Sequence, residues 1–148
     1  MSLSDKWTLA MGEEDGKKLI YRIRSAAPVF ASKGLCSRLL IVLWPFESLN
    51  KTGLPSSEDA ERMTQLENLL RPALEERHQG FLSVIVTGDG LREWQWYVRD
   101  PKVTMELVNE TLGALEAFPI QFSFQQEDPE WTVYEKFLDI TAPGQGDL

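Results

Sequence analysis

The sequence is poor in the residues that most metal and redox sites require. Its 148 residues include one His and one Cys. Structural zinc sites take four Cys, His or carboxylate ligands, iron–sulfur clusters are held by several cysteines, and a disulfide needs two. One chain therefore cannot build a His/Cys zinc site, an iron–sulfur site or a disulfide of its own, and we expect no metal and no cofactor.

Long apolar runs and an excess of basic residues are also absent. The longest apolar run, Leu39 to Phe46, is much shorter than a transmembrane helix. Lys and Arg number 15 against 23 Asp and Glu, which gives a net charge of −8. Nucleic acids and anionic membranes attract clustered basic residues, so we expect neither as a partner. The N-terminus shows no apolar segment of a signal peptide, and the lone Cys36 suits a reducing compartment, so we expect a cytoplasmic protein.

The N-terminal segment alternates between apolar and polar residues on both sides of an acidic turn. Trp7, Leu9 and Met11 occupy every second position, and residues 19–24 alternate in the same way after the turn at Gly12–Gly16. Period-two alternation is typical of strands, and a short glycine-containing turn joins such strands into a hairpin. The segment predicts a β-hairpin with one solvated face.

A continuously apolar run and an amphipathic segment follow. Residues 39–44 predict a central strand covered on both faces. Ser56 or Ser57 is expected to cap a helix whose apolar residues recur every three or four positions. We expect Pro72 to kink or restart that helix and Gly80 to lie near its C-cap.

The second half of the chain contains signals for three strands and two helices. A Gly-Asp-Gly sequence supplies positive-φ residues for a tight turn. An Asp-Pro pair is typical of a helix start, because Asp caps the helix and Pro fits its first turn. The predicted segments are strands over 81–87 and 93–99, a helix from Asp100-Pro101, a strand over 120–125 and a short helix from Asp128-Pro129.

These segments predict an α+β fold. From residue 39 to 125 their order is β-α-β-β-α-β, the split βαβ order of ferredoxin-like domains, with both helices on one face of an antiparallel sheet. The N-terminal β-hairpin and the C-terminal short helix would extend or cover that sheet. The alternative is another α+β sandwich in which the hairpin is integral. We expect a single domain over 5–140 and a flexible tail over 141–148.

Candidate functional residues cluster on the predicted hairpin over 88–99. An acidic and basic group beside the turn could support carboxylate chemistry, although turn and surface roles account for the same residues. The neighbouring aromatic and basic residues are typical of protein-binding surfaces, and core or sheet cover is the alternative. We expect no catalytic residue. The candidate binding residues are Asp89, Arg92, Glu93, Trp94, Trp96, Tyr97 and Arg99.

The single histidine and the single cysteine are expected to be structural. His78 follows the end of the predicted helix, where a cationic residue is favoured by the helix dipole. Cys36 lies in a Ser/Gly-rich loop, and a reactive thiolate there would need a lowered pKa. Neither residue therefore indicates nucleophilic catalysis.

Three stretches of the chain carry a family resemblance. They are Leu40–Phe46 followed by Gly53-Leu54-Pro55, Thr87–Trp94 with Tyr97, and Asp128–Trp131 with Tyr134. Over residues 7–138 the chain resembles the domain of unknown function family 695. The resemblance implies a bacterial protein without an assigned activity. It also implies a loose link to the regulator of ribonuclease E, type B, which is a small acidic ferredoxin-like inhibitor, and it implies no catalytic residues.

These observations leave three functional hypotheses. The first is a non-enzymatic acidic binding module that regulates or inhibits a basic protein partner, as a nuclease regulator or a toxin immunity protein does. The second is a small carboxylate-dependent hydrolase or ligand-binding enzyme that uses Asp89, Arg92 and Glu93. The third is a homodimeric structural protein that associates through a sheet edge or an open face. The first is preferred, because no catalytic constellation is evident.

Overall fold

The computed structural model describes residues 5–48 and 52–141. No helix within these ranges is long and apolar enough to cross a membrane. Thr141, expected to begin the tail, ends the last helix, and residues 142–148 lie outside the described residues. The elements are β1 (Trp7–Glu14), β2 (Lys17–Arg24), β3 (Arg38–Pro45), α1 (Ser57–Glu75), β4 (Gly80–Gly88), β5 (Leu91–Val98), α2 (Pro101–Leu112), β6 (Gln121–Glu127) and α3 (Thr132–Thr141).

The six strands of the described chain form one antiparallel sheet, which confirms the α+β prediction. Their order across the sheet is β1-β2-β4-β5-β3-β6. The N-terminal hairpin extends the sheet, because β2 pairs with β4. β3, predicted as a central strand, pairs with β5 on one side and β6 on the other. The edges of the sheet are therefore β1 and β6.

The sheet carries a hydrophobic core on each face. On the helix-pair face, α1 and α2 cover apolar side chains of β3, β4 and β5. On the α3 face, α3 and the connection between β2 and β3 cover Ile23, Phe81 and Tyr97. Successive strand residues point to opposite faces, so β5 supplies Trp94 and Trp96 to one core and Tyr97 to the other.

Local sequence signals determine most of the turns and helix starts. The Asp15-Gly16 turn of the first hairpin has φ angles of 52° and 79°, the conformation of a type I′ turn. Ser56 Oγ accepts the Asp59 N–H at 3.1 Å and so caps α1. Asp100 caps α2, whose first residue is the predicted proline. The predicted hairpin and both of these helix starts are thus confirmed.

The end of α1 departs from the sequence prediction. α1 is continuous with Pro72 inside it, so the helix does not restart there. Pro72 is exposed, and solvent can satisfy the carbonyl that loses its N–H partner. Gly80 is not a C-cap, since that position is Glu76 and the left-handed residue of the connection is His78. A Cβ at Gly80 would lie 2.8 Å from the Tyr97 carbonyl oxygen, so glycine permits the close approach of β4 and β5.

Candidate functional site

A cleft lies where three connections meet at one end of the sheet. They are the β1–β2 turn, the β4–β5 turn and the loop between β3 and α1. The cavity has a volume of about 750 Å³, which is in the range of small-ligand pockets. Polar residues that line it include Lys17, Lys18, Ser48, Thr52 and Asp89.

Glycine geometry holds the loop against the β4–β5 turn. Asp89 and Gly90 have φ angles of 54° and 75° in that turn. Gly53 has no room for a side chain, because a Cβ there would lie 2.8 Å from the Asp89 nitrogen. The Gly90 N–H donates to the Gly53 carbonyl at 3.2 Å, and the Phe46 N–H donates to the Gly90 carbonyl at 2.9 Å. These contacts fix the two walls of the cleft relative to each other.

The charges in the cleft are partly compensated. Lys17 Nζ lies 2.8 Å from Asp89 Oδ1, with both side chains more than half exposed. The hydrogen bond to Asp89, together with its charge, raises the pKa of Lys17. Lys18 forms no ion pair with any residue that the structure describes. The lining therefore combines apolar residues, among them Met11, Ile20 and Leu54, with a cation suited to an anionic group, and Asp89 is already engaged by Lys17.

The three residues suggested for carboxylate chemistry do not converge. Arg92 lies on the helix-pair face, where its Nε donates to Thr87 Oγ1 at 2.8 Å. Glu93 lies on the opposite face and accepts from Gln95 Nε2 at 2.6 Å. Asp89 is in the turn beyond both. Because adjacent strand residues point to opposite faces, the local cluster in the sequence is divided by the sheet.

Most of the aromatic candidates belong to the cores. Trp94, Trp96 and Tyr97 are 2%, 1% and 0% exposed. Side chains this deeply buried cannot form the contact surface of the folded protein, so the alternative of core placement holds for them. Arg99 is exposed just after β5. Burial raises the pKa of the Cys36 thiol, and the positive charge of Arg99 partly opposes this increase.

Tyr97 links β5 to the start of α3. Its hydroxyl donates to Asp128 Oδ2 at 2.6 Å, and Asp128 also accepts the N–H groups of Thr132 and Val133 at 2.8 and 3.0 Å. Partial burial raises the pKa of Asp128, but these hydrogen bonds lower it by more, so it lies below its usual value. Burial raises the pKa of Tyr97 and raises that of Tyr134 to about 12. The predicted Asp128 cap is therefore a structural clamp, although α3 itself begins at Thr132.

Sequence reasoning missed a network of arginines between β2 and α1. Arg24, 1% exposed, bonds both carboxylate oxygens of Glu75 at 2.9 and 3.1 Å. Arg22 bonds both oxygens of Glu67 at 3.2 Å. The Trp7 ring lies 5.3 and 5.6 Å from the two guanidinium groups. The alternation of β2 places both arginines on one face, but their acidic partners lie 45 and 51 positions away, and no local signal indicates them.

Comparison with protein families agrees with the resemblance in the sequence. The model of a family described as "Family of unknown function (DUF695)" matches residues 5–139. The chain belongs to this family. No curated protein and no solved structure matches it. The link to the regulator of ribonuclease E, type B, stays a prediction.

The single Cys and His of this DUF695 chain have structural surroundings. Cys36 is fully buried, and burial raises the pKa of its thiol, which disfavours the nucleophilic thiolate. The His78 ring stacks on Phe30 with centroids 4.6 Å apart. Across residues 5–48 and 52–141, no three His, Cys, Asp or Glu side chains are grouped so that they could hold a metal ion.

The outward side of the helix pair in this DUF695 chain is acidic. α1 and α2 contact each other, and Arg62 donates to the Ala117 carbonyl at 3.3 Å, which brings the first half of α1 beside the segment that follows α2. Exposed carboxylates here form no ion pair within 4.0 Å among the described residues. This acidic surface consists of Glu58, Glu61, Glu106, Glu110 and Glu116.

Proposed function

We propose that the protein is a non-enzymatic cytoplasmic binding module that regulates or inhibits a basic protein partner. The observation that carries the proposal is the acidic surface. Its carboxylates lie on two packed helices and on the segment after α2, and none of them forms an ion pair within 4.0 Å with a cation of the described residues. Exposed charges of one sign attract an oppositely charged protein over roughly 10 Å at 0.1 M salt and raise the association rate.

The arrangement of the arginines supports this proposal. Arg22 and Arg24 face the interior between β2 and α1, where Glu67 and Glu75 bind them. Arg71 is also within 4 Å of Glu75. Arg22, Arg24 and Arg71 are therefore engaged internally and do not pair with the outward carboxylates.

We also propose that β3–β6 with α1 and α2 form a ferredoxin-like unit. The strand order β4-β5-β3-β6, the antiparallel pairing and the contact between α1 and α2 support this assignment. The loose link of the family to the regulator of ribonuclease E, type B, a small acidic ferredoxin-like inhibitor, also motivates the proposal. A nuclease regulator or a toxin immunity protein is accordingly the class that we propose.

The salt dependence of binding in two charge-matched variants tests the function. A partner captured at low salt is purified, and its association rate is measured against ionic strength. In the variant E58Q/E61Q/E106Q/E110Q the association rate at low salt should fall on the order of tenfold. The control variant E47Q/E127Q/E130Q/D139N should retain the wild-type rate. Recovery of no partner, or equal effects of the two variants, contradicts the proposal.

The cleft favours a second candidate, the binding of a small polar or anionic ligand without hydrolysis. Its volume and the uncompensated Lys18 charge are the supporting observations. Inorganic phosphate and acetate are suitable probes in an amide NMR titration. We expect saturable shifts at Lys18, Gly53 and Gly90 that are lost in Lys18→Gln. Shifts that do not saturate, or that survive the substitution, exclude this candidate.

A further inference from the structure

β1 is an edge strand whose first six residues carry no charge, and its charged residues, Glu13 and Glu14, lie at its end. It is eight residues long, pairs with β2 without a bulge, and contains neither proline nor lysine. Natural edge strands are commonly shortened, bulged or provided with such residues, because an open edge can pair with another chain. Leu9 and Met11 of β1 are instead 70% and 66% exposed. Among the described residues nothing pairs with its outer edge, so the strand offers both backbone groups and apolar side chains.

The hydrogen-bond pattern determines which residues of β1 face the open edge. The Ser25 N–H donates to the Lys6 carbonyl at 2.8 Å, so Lys6 is at a position bonded to the β2 side. Bonded and non-bonded positions alternate along an antiparallel pair. The even-numbered residues of β1 thus bond to β2. The residues whose N–H and C=O groups face the open edge are Trp7, Leu9, Met11 and Glu13.

We propose that β1 pairs antiparallel with β1 of a second copy about a two-fold axis, so that the two sheets become one. A ladder forms only where edge-facing residues lie opposite each other. One such register uses the whole strand and places Leu9 opposite the partner's Met11, with Trp7 opposite the partner's Glu13. By symmetry the apolar pair occurs twice, and the two exposed large apolar side chains of β1 cover each other.

The charges beside β1 select this register. It places Lys6 opposite the partner's Glu14, again twice by symmetry, and opposite charges at facing positions stabilise a sheet. A shift of two residues in one direction places Glu13 opposite the partner's Asp5, which repels. A shift in the other direction places Glu14 opposite the partner's Thr8 and removes the ion pair. The strand is therefore complementary to itself in one register.

Sedimentation velocity over a concentration series tests the dimer. Lys6→Glu and Glu14→Lys should each raise the dissociation constant of the dimer on the order of tenfold. The double variant should restore the wild-type value, because the ion pair is re-formed with reversed charges. Leu9→Lys should also weaken the dimer. Leu115→Lys is the matched control, since Leu115 is 43% exposed and lies outside β1.

A monomer at every concentration up to roughly 1 mM overturns the proposal. A dimer with the same dissociation constant in all variants overturns it as well. So does a double variant that dimerises no more tightly than either single variant. Circular dichroism checks folding, because Glu14→Lys lies opposite Lys17 in the hairpin. If that variant unfolds, Lys6→Glu and Leu9→Lys decide the question. Failure of the dimer leaves the acidic surface and its partner unaffected, so the two proposals fail separately.

Discussion

Arg22 and Arg24 allow a matched comparison of a part-exposed and a buried ion pair. Both project from β2 toward α1, and each bonds both carboxylate oxygens of one glutamate. They differ in burial, since the side chain of Arg22 is 35% exposed and that of Arg24 is 1% exposed. Replacement of each by Met therefore separates the effect of desolvation from that of pairing.

The structure predicts a larger loss for Arg24→Met. Arg24 Nη1 also donates to the Leu82 carbonyl at 3.0 Å, and Glu75 accepts the Leu82 N–H at 3.1 Å. Leu82 lies two residues before Val84, the first residue of β4 that pairs with β2. The side chains of Arg24 and Glu75 therefore bind the backbone of β4 at the point where its pairing with β2 ends. Removing one partner of a buried pair costs about 3–5 kcal/mol. Glu75 retains a cation within 4 Å, so we take the lower end, about 3 kcal/mol.

Arg22→Met should cost less, about 1 kcal/mol, because Arg22 is 35% exposed and the buried Glu67 keeps its hydrogen bond from Trp94 Nε1 at 3.1 Å. For a domain of this size, 1 kcal/mol corresponds to a Tm change of about 2–4 °C. Thermal and urea unfolding, followed by circular dichroism, should therefore give a Tm decrease of about 6–12 °C for Arg24→Met and at most about 4 °C for Arg22→Met. Equal decreases, or a loss below about 1 kcal/mol for Arg24→Met, refute the reasoning from burial.

Three further predictions concern Cys36, Asp128 and Trp7. Cys36 should react with a thiol reagent only after unfolding, and rapid reaction of the native protein contradicts its burial. Asp128→Asn should cost about 1–2 kcal/mol near neutral pH, because the amide has one acceptor oxygen whereas the carboxylate accepts on two, from Tyr97, Thr132 and Val133. Because the folded pKa of Asp128 is lowered, that stabilisation is present above the unfolded value near 3.8 and is lost as pH falls below it, so urea midpoints of the two proteins should converge in acid. Trp7→Phe should remove most iodide-quenchable tryptophan emission, whereas an equal loss in Trp96→Phe contradicts the burial of Trp96.

The sequence predicted what depends on neighbouring residues. Alternation along residues 93–99 predicts Trp94 and Trp96 on one face and Tyr97 on the other, and the two cores confirm it. Alternation also explains why the cluster around Arg92 and Glu93 was misleading, because consecutive strand residues cannot point into one site. The local sequence is therefore sufficient to assign these side chains to the two faces of the sheet, because they alternate every second residue along a strand.

What the sequence did not predict depends on how α1 docks against the sheet. The partners of Arg22 and Arg24 are determined by the position of α1 over β2, which no local pattern specifies. The cleft is similarly formed by three connections that are distant in the chain. Its one detectable signal was glycine, since Gly53 is required where the loop approaches the β4–β5 turn, and a lone glycine does not identify its neighbour.

The two proposals combine into a single geometric expectation. In the β1 register, Leu9 and the partner's Met11 lie on the same side of the joined sheet, so the helix-pair faces of both copies also point to that side. A dimer would then present two acidic surfaces in one direction, and a basic partner with two sites, or two such partners on one assembly, would gain affinity from simultaneous binding. Lys6→Glu should therefore weaken capture of a bivalent basic partner at low protein concentration, although Lys6 is no part of the acidic surface. The double variant with Glu14→Lys has the wild-type net charge of −8 and should recover that capture. A purely electrostatic role predicts instead that Lys6→Glu, whose net charge is two units more negative, strengthens capture of a basic partner.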